Sequence, residues 1–326
     1  IDAPARLHLG FVDLNGSLGR NFGSMGLCID SPSTRLRLSR HHELSVSGPD
    51  AGRAAEHAAA VLKALDASDS VRINIERAIP AHVGLGSGTQ LALAVSAGVA
   101  RLLDRPAETS RLAGLTARGL RSGIGIGAFE MGGFIVDGGR GEETVVPPVI
   151  SRMDFPEAWR ILLIFDDQHV GLSGRDERSA FAALPPMTDA VAARLCRIAM
   201  MQMLPAVREC RFTQFSMALN EVQNTVGDHF ARFQGGRYTS DAVGTILNWL
   251  LEQGVIGVGQ SSWGPTGFAL LPNEQEAEQV LGWLESSLPE WFAADSRLRF
   301  EVVGARNHGA DITPEMSDES TRKMAG

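Results

Sequence analysis

The stretch Pro80-Ala81-His82-Val83-Gly84-Leu85-Gly86-Ser87-Gly88-Thr89-Gln90 has three glycines at alternate positions and runs directly into an apolar segment that ends near Leu103. Alternate glycines let the backbone curl so that several N–H groups point inward, and a helix that begins there adds partial positive charge. The pattern indicates a cradle for a phosphate-like anion. It also fits a tight strand-to-helix turn without a ligand, since it lacks the Lys of a Walker loop and the last Gly of a dinucleotide fingerprint.

The composition excludes several classes of protein. The 326-residue chain carries 30 Lys and Arg against 38 Asp and Glu, a net charge of −8, which disfavours nucleic acid as a partner. With 44% hydrophobic and 21% charged residues, it has the composition of a folded protein, and its length suggests two domains. We find no apolar run of the ~20 residues that cross a bilayer, no signal-peptide pattern and no close cysteine pair. We therefore expect a cytoplasmic protein without a membrane partner.

Periodicity predicts a mixture of strands and helices. In the first half, some segments alternate polar and apolar residues, which predicts strands, and other segments have apolar residues at helical spacing, which predicts helices. The predicted strands cover 35–39, 43–47 and 71–76, and the predicted helices cover 54–65, 90–103 and 108–119. In the second half, the predicted elements are a strand at 160–165, a helix at 188–211 bent near Pro205, a helix at 240–253, strands at 256–258 and 267–271, a helix at 274–284 and a strand at 298–303.

Three prolines between positions 147 and 156 indicate a domain boundary. We therefore assign residues 1–150 to an N-terminal domain with the glycine loop and residues 151–312 to a C-terminal domain. The polar residues 313–326 predict a loose tail. Together these patterns predict an α+β fold of two domains.

The glycine stretch resembles the phosphate-binding motif of the galactokinase, homoserine kinase, mevalonate kinase and phosphomevalonate kinase superfamily. There, Pro, three residues and Gly-Leu-Gly-Ser precede a helix. Ala3 to Gly10 resembles the superfamily's opening strand, and Ser122-Gly123-Ile124 with the later pair Gly132-Gly133 resembles its third motif. The resemblance implies an N-terminal sheet-and-helix domain with a phosphate loop, a C-terminal α/β sandwich domain, and a site in the cleft between them.

Position 125 departs from the kinase pattern. The kinases have an Asp that helps to activate the acceptor hydroxyl, whereas this chain has Gly125. Loss of such a group typically costs a factor of ~10² to 10⁴ in rate, which disfavours a kinase. The strings 6–16, 121–139 and 260–267, with Gly171-Leu172-Ser173-Gly174, instead resemble the β-ribofuranosylaminobenzene 5'-phosphate synthases of methanopterin biosynthesis.

This second resemblance implies a particular chemistry. The family joins phosphoribosyl pyrophosphate to 4-aminobenzoate or 4-hydroxybenzoate through a carbon–carbon bond and releases carbon dioxide and pyrophosphate. No acceptor hydroxyl is deprotonated, so the chemistry permits Gly125. The resemblance also implies Mg²⁺ as cofactor and a homodimer. The alternatives are an ATP-dependent kinase of the superfamily and a non-catalytic binder of a sugar phosphate, and the choice between amine and hydroxyl stays open.

The candidate site residues come from these motifs. Arg6 and His8 share one face of a strand, and a guanidinium beside an imidazole suits phosphate or carboxylate recognition. The candidates for substrate binding are Arg6, His8, Gly84, Gly86, Ser87, Gly88, Thr89, Gln90, Ser122, Gly123, Ser261, Ser262 and Trp263. The candidates for catalysis are Arg121, Asp166, Asp167 and His169.

Four residues in or near these motifs have open alternatives. Asp166 or Asp167 follows a strand and could bind magnesium or stabilise a ribosyl cation, but a solvated acidic turn fits equally well. The metal ligands therefore stay unassigned. Trp263 is a candidate for stacking on the benzoate ring, although most tryptophans belong to a core or an interface. Asp137, beside two glycines, suits either a site or a hairpin turn.

Overall fold

The computed structural model describes residues 1–67, 70–105, 108–171, 174–293 and 296–314. The first half of the chain forms a mixed sheet whose strands are β1 (Asp2–Asp13), β2 (Phe22–His41), β3 (Ser45–Ser47), β4 (Ser70–Arg77), β5 (Phe134–Asp137) and β6 (Val149–Met153). The strand order is β3-β4-β2-β5-β6, and β1 pairs with β2 in antiparallel fashion. The helices of this half are α1 (Ala51–Ala64), α2 (Ser87–Leu102), α3 (Thr109–Leu115) and α4 (Ile124–Glu130).

The second half forms an antiparallel sheet in the order β10-β7-β9-β8. Its strands are β7 (Arg160–Asp166), β8 (Val258–Gln260), β9 (Gly267–Leu271) and β10 (Leu298–Gly304). Its helices are α5 (Gly174–Ala183), α6 (Asp189–Ile198), α7 (Leu204–Arg208), α8 (Phe212–Gln234), α9 (Asp241–Glu252) and α10 (Glu274–Ser287). The predicted α+β class is confirmed. Our sequence analysis did not predict α8, which is the longest of these helices.

Strand β1 joins the two halves in one hydrophobic core. Its residues Leu7, Leu9 and Phe11 are buried in the same cluster as Phe215 and Leu219 of α8. One edge of β1 therefore pairs with the first sheet while its side chains pack on helices of the second half. Because β1 also carries Arg6 and His8, this packing fixes the position of both candidate side chains.

The chain returns to the first sheet after β10. The Arg306 N–H donates to the Cys28 carbonyl at 3.0 Å, and the Gly133 N–H donates to the Arg306 carbonyl at 2.8 Å. The Arg306 guanidinium also contacts Asp2, which forms further ion pairs with Arg35 and Arg77. The boundary at residue 150 stays a prediction, and residues 315–326 of the predicted tail lie outside the described chain.

The predicted bend near Pro205 is present. Ala199–Met203 forms a π turn between α6 and α7, and Pro205 lies just after it in the first turn of α7. Proline inside a helix removes one backbone hydrogen bond, so the irregular hydrogen bonding falls where the sequence predicts it. By length and composition alone, the continuous stretch Asp189–Arg208, with a mean hydropathy of 1.3, could cross a membrane, and 39% of it is buried. Our sequence analysis overlooked this stretch. Leu195 and Met203 belong to the core around β1, so it packs here as a core helix.

Candidate functional site

The glycine loop is held by β1. The Arg6 N–H donates to the Leu85 carbonyl at 3.1 Å, and the Arg6 guanidinium donates to the Gly84 carbonyl. Gly84 and Gly86 have φ values of +86° and +84°, a left-handed conformation that favours glycine. The loop therefore has a fixed shape, as its alternate glycines predicted.

Helix α2 begins at Ser87 with Gly86 as its N-cap, and no side chain caps it. The first N–H groups of a helix have no partner within the helix, and they carry part of its positive dipole. The amides of Ser87 and Gly88 are thus available to an anion, whereas those of Thr89 and Gln90 donate to the Gly86 carbonyl at 3.0 Å. Gly86, Ser87 and Gly88 are the predicted residues that the structure brings to this helix end.

A loop of the second half, which contains Ser261 and Gly264, packs against the glycine loop. The His8 N–H donates to Ser261 Oγ at 3.0 Å, and Ser261 Oγ donates to the Gly84 carbonyl at 2.8 Å. The Ser262 N–H donates to the His8 carbonyl at 3.3 Å. A Cβ on Gly264 would lie 2.2 Å from the Gly84 nitrogen, so only glycine permits this approach. The structure therefore brings together the predicted motifs around Arg6, Gly84 and Ser261.

His8 is a neutral imidazole beside two guanidinium groups. Burial, followed by the positive charges of Arg6 and Arg121, lowers the pKa of His8 to about 3, against a hydrogen bond with its own backbone. Arg121 lies over the Phe181 ring with its guanidinium carbon 4.4 Å from the ring centroid. His8 is thus suited to accept a hydrogen bond rather than to carry charge.

A cavity of about 30 Å³ lies between β1 and α8, and its lining includes His8, Phe11, Phe230 and Trp263. Trp263 is 3% exposed, and its ring centroid lies 4.4 Å from that of Phe230 and 5.4 Å from that of Phe181. Within the described chain, neither His8 Nε2 nor Trp263 Nε1 has a hydrogen-bond partner, although both atoms are buried. The cavity therefore combines an aromatic wall with several polar groups, since its lining also includes Gln223, Gln234, Arg237, Gln260 and Ser262.

Asp137 holds the Arg121–Gly123 segment in place. Its carboxylate accepts hydrogen bonds from Ser24 Oγ, from Ser122 Oγ at 3.2 Å and from the N–H groups of Gly123 and Gly139, both at 2.9 Å. Burial raises the pKa of Asp137 in spite of these bonds. Ser122 and Gly123 were predicted to bind substrate, and the Ser122 hydroxyl and the Gly123 amide both donate hydrogen bonds to Asp137. Asp137 therefore supports this segment in addition to its place in a turn.

Thr89 and Gln90 connect α2 to α4. Gln90 is fully buried, and its Nε2 donates to the Gly125 carbonyl at 2.7 Å. A Cβ on Gly125 would lie 3.0 Å from Thr89 Cγ2. Gln90 Nε2 is therefore used in packing, whereas Gln90 Oε1 has no hydrogen-bond partner among the described residues, and its role in substrate binding stays a prediction. Gly125 faces the first turn of the helix that carries the glycine loop.

Asp166 was predicted to be catalytic, but the structure assigns its carboxylate to the second sheet. It is 1% exposed, forms an ion pair with Arg297 and accepts a hydrogen bond from Ser240 Oγ at 2.6 Å, at the N-terminus of α9. Although burial acts to raise it, the hydrogen bonds from Arg297 and Ser240 lower the pKa of Asp166 overall. The strand-end position alone could not show these partners.

Asp167 and His169 stay predictions. The Asp167 side chain is 62% exposed and lies 3.9 Å from Arg299, and the His169 N–H donates to the Asp166 carbonyl at 3.3 Å. Leu172 and Ser173 of the string that follows lie outside the described residues. Sequence analysis did not select Arg118, whose guanidinium lies against Gly88. Its signal in the sequence is a pair of arginines, Arg118 and Arg121, just before the Ser-Gly motif.

Comparison with known proteins identifies the class of fold that the sequence motifs predict. The model of the GHMP kinases N terminal domain matches residues 52–133, and that of the GHMP kinases C terminal domain matches residues 203–288. The mevalonate kinase of Methanococcus jannaschii superposes with a TM-score of 0.63 at 12% identity, over 94% of this chain and 98% of that one. A 4-(cytidine 5'-diphospho)-2C-methyl-D-erythritol kinase gives 0.60 at 18% identity, over 93% and 99%. The chain thus has the GHMP kinase fold.

The sequence relatives define the family within that class. The β-ribofuranosylphenol 5'-phosphate synthase of Methanothermobacter thermautotrophicus is 31% identical, over 95% of this chain and 97% of the relative. The protein of the same name from Methanocaldococcus jannaschii is 32% identical, over 82% and 88%. The chain belongs to the family of the β-ribofuranosylphenol 5'-phosphate synthases, which confirms the family predicted from its motifs.

The glycine loop predicts a specific response to mutation. Gly86→Ala should weaken the binding of inorganic pyrophosphate at least tenfold, because a Cβ would lie 3.2 Å from Arg6 Cζ and the left-handed backbone would be strained. Gly254→Ala is the matched control, because Gly254 has a φ of +88° and nothing within 4 Å of its Cβ position. Calorimetric titration measures both variants. Equal affinities for pyrophosphate in two folded variants would show that the loop is only a turn.

Proposed function

We propose that this protein condenses phosphoribosyl pyrophosphate with 4-hydroxybenzoate or 4-aminobenzoate, forming a carbon–carbon bond and releasing pyrophosphate and carbon dioxide. The observation that carries the proposal is an anion cradle of the kinase type combined with Gly125, at the position of the kinases' acceptor-activating Asp. The relatives' names support a ribofuranosyl phosphate product on an aromatic ring. On the family resemblance, we assign the reaction to methanopterin biosynthesis.

The glycine loop takes the diphosphate in this proposal. The amides at the start of α2 and the Arg6 guanidinium can stabilise negative charge as it develops on the leaving group. These donors are fixed by β1 and by Ser261 before the substrate binds, so they need little reorganisation during the reaction. A cation-like ribosyl transition state needs this kind of support more than it needs a base near an acceptor hydroxyl.

The cavity beside Trp263 takes the para substituent of the benzoate. A space of about 30 Å³ cannot hold a whole ring, but it exceeds the ~10–15 Å³ that one water requires. A hydroxyl donates one hydrogen bond and accepts others, which matches His8 Nε2 as acceptor and Trp263 Nε1 as donor. The relatives' names also specify a phenol product. Both observations favour 4-hydroxybenzoate as the acceptor substrate.

The reaction then proceeds without an acceptor base. When the para hydroxyl donates to neutral His8, the ring carbon that bears the carboxylate gains electron density. That carbon attacks the anomeric carbon, and the electron pair of the broken C–O bond leaves with the diphosphate. The C–CO₂ bond then breaks, its electrons restore the aromatic ring, and carbon dioxide departs.

We propose Mg²⁺ as a companion of the diphosphate rather than as an ion held in a protein cage. Asp166 and Asp137 are both committed to protein partners. Among the described residues, the one cluster of three metal-ligating side chains is His41, His42 and Glu43, with Arg72 hydrogen-bonded to the His41 ring. The described residues therefore do not form a cage of three carboxylate ligands, and the mechanism assigns no step to the ion. The homodimer and the cytoplasmic location stay predictions.

Isotope release tests the proposal. With Mg²⁺, phosphoribosyl pyrophosphate and carboxyl-labelled 4-hydroxybenzoate, the protein should release labelled carbon dioxide and pyrophosphate in a one-to-one ratio, since both losses belong to one reaction. Release should stop when either substrate is omitted. Liquid scintillation of trapped carbon dioxide and an enzymatic pyrophosphate assay measure the two products.

Other outcomes separate the alternatives. A kinase would consume ATP and leave the label in the benzoate, and a binding protein would release nothing. If pyrophosphate appeared while the label stayed in a ribosylated benzoate, the protein would be a phosphoribosyltransferase that joins oxygen or nitrogen instead of carbon.

Position 125 offers a second test of the proposed chemistry. Gly125→Asp should slow synthesis about tenfold relative to Gly125→Asn and should create no ATP-dependent phosphorylation, because its charge would lie beside Thr89 at the anion cradle. The Asn variant crowds Thr89 equally without the charge. Steady-state rates of pyrophosphate release measure the difference. Equal rates for Asp and Asn, or faster turnover with Asp, would contradict the location of the diphosphate.

A further inference from the structure

Arg118 lies against the first turn of α2. The Cβ position of Gly88, the second residue of that helix, is 3.1 Å from Arg118 Nη1 and 3.4 Å from its Cζ and Nη2. The Arg118 backbone is fixed by its own N–H, which donates to the Ala113 carbonyl at the end of α3 at 2.9 Å. The guanidinium is therefore held at the end of α2 where the open amides already favour an anion.

Two more nitrogen-bearing side chains lie behind Arg118. Arg53 and His57 are four residues apart on α1 and so share one helix face. Burial, then the charges of Arg118 and Arg53, lower the pKa of His57 to about 4, and burial followed by Arg53 lowers the pKa of Arg118. Helix α1 also packs against α3, which ends three residues before Arg118.

The three side chains have few acceptors. Arg53 pairs with Asp50 at 3.2 Å, but within the described chain the Arg118 guanidinium forms no hydrogen bond or ion pair. Among the residues that the structure describes, Arg53 Nε, His57 Nε2 and Arg118 Nε are buried without a hydrogen-bond partner. Holding the Arg118 charge beside Arg53 without an acceptor costs free energy, so Arg118 does not stabilise the ligand-free fold. Such a cluster is typical of an anion-binding site.

We infer that Arg118, backed by Arg53 and His57, forms a second oxyanion subsite that binds one phosphate of a diphosphate. Arg6 lies at Gly86 and Arg118 at Gly88, so the cradle has a guanidinium on each side of Ser87. Two cations in a row suit an elongated anion of two phosphates better than a single phosphate. The inference rests on the proposed function in taking this diphosphate to be that of phosphoribosyl pyrophosphate.

Calorimetric titration with inorganic pyrophosphate tests the subsite. Arg118→Gln should weaken pyrophosphate binding by about tenfold to a hundredfold, because it removes a charge-assisted contact. Arg111→Gln is the matched control, since Arg111 lies exposed on α3 and should leave the affinity unchanged. Inorganic phosphate should lose less affinity than pyrophosphate in the Arg118 variant. Equal pyrophosphate affinities in the wild type and in a folded Arg118→Gln variant would overturn the inference.

Thermal unfolding separates binding from a structural role. The ligand-free Arg118→Gln protein should melt at or above the wild-type temperature, because the substitution removes an uncompensated charge. A lower melting temperature with unchanged pyrophosphate affinity would show that Arg118 only supports the fold.

The test distinguishes this inference from the proposed function. If the wild type releases no carbon dioxide from the benzoate but its pyrophosphate affinity depends on Arg118, the subsite stands and the proposed function fails. If the wild type is an active synthase and Arg118→Gln changes neither the pyrophosphate affinity nor the KM for phosphoribosyl pyrophosphate, the proposed function stands and the subsite is wrong.

Discussion

The Gly84 carbonyl oxygen accepts hydrogen bonds from both halves of the molecule, and the site depends on this junction. The Arg6 guanidinium reaches it from β1, and Ser261 Oγ reaches it at 2.8 Å from the loop after β8. With its carbonyl held on that side, the loop turns through left-handed Gly86 and leaves the first amides of α2 open. The contact thus joins the two halves and shapes the anion cradle at once.

The positive charges around the glycine loop suit the binding of an anion better than they suit the ligand-free protein. His8 is kept neutral by burial and by its two arginine neighbours, so it can accept a hydrogen bond without adding to the positive charge. Arg118 is half-buried beside Arg53 and His57, and its pKa is lowered by that environment. A protein that bound no anion would gain stability by replacing such a cluster. In the proposed function, binding of a diphosphate would compensate the cost.

Local sequence predicted the parts of the site that depend on local geometry. Alternate glycines before an apolar helix require a left-handed turn, so the cradle was predictable from residues 84–88. The hydrogen-bond and ion-pair partners of single side chains were not predictable from local sequence. Asp166 ends a strand as predicted, but Arg297 lies 131 positions away and only the pairing of β7 with β10 brings it near. Arg118 contacts Gly88 because α3 packs on α2, which no local pattern encodes.

Helix α8 is a different case, because its signal was present in the sequence. Its buried residues Phe215, Leu219 and Val222 recur at helical spacing and form the face that packs on β1, so local periodicity marks this helix and our sequence analysis overlooked it. The strands β5 and β6 were missed for a different reason, since they are short and flanked by glycines and prolines that favour turns. The family motifs succeeded where these signals failed, because they span positions that the fold brings together.

The central claim is that a kinase-type anion cradle here supports carbon–carbon bond formation. The most direct measurement is carbon NMR of the product made from phosphoribosyl pyrophosphate labelled with carbon-13 at the anomeric carbon and 4-hydroxybenzoate labelled at the ring carbon that bears the carboxylate. We predict a one-bond coupling between the two labels, because the two carbons become directly bonded. A ribosylated product without that coupling would contradict the claim.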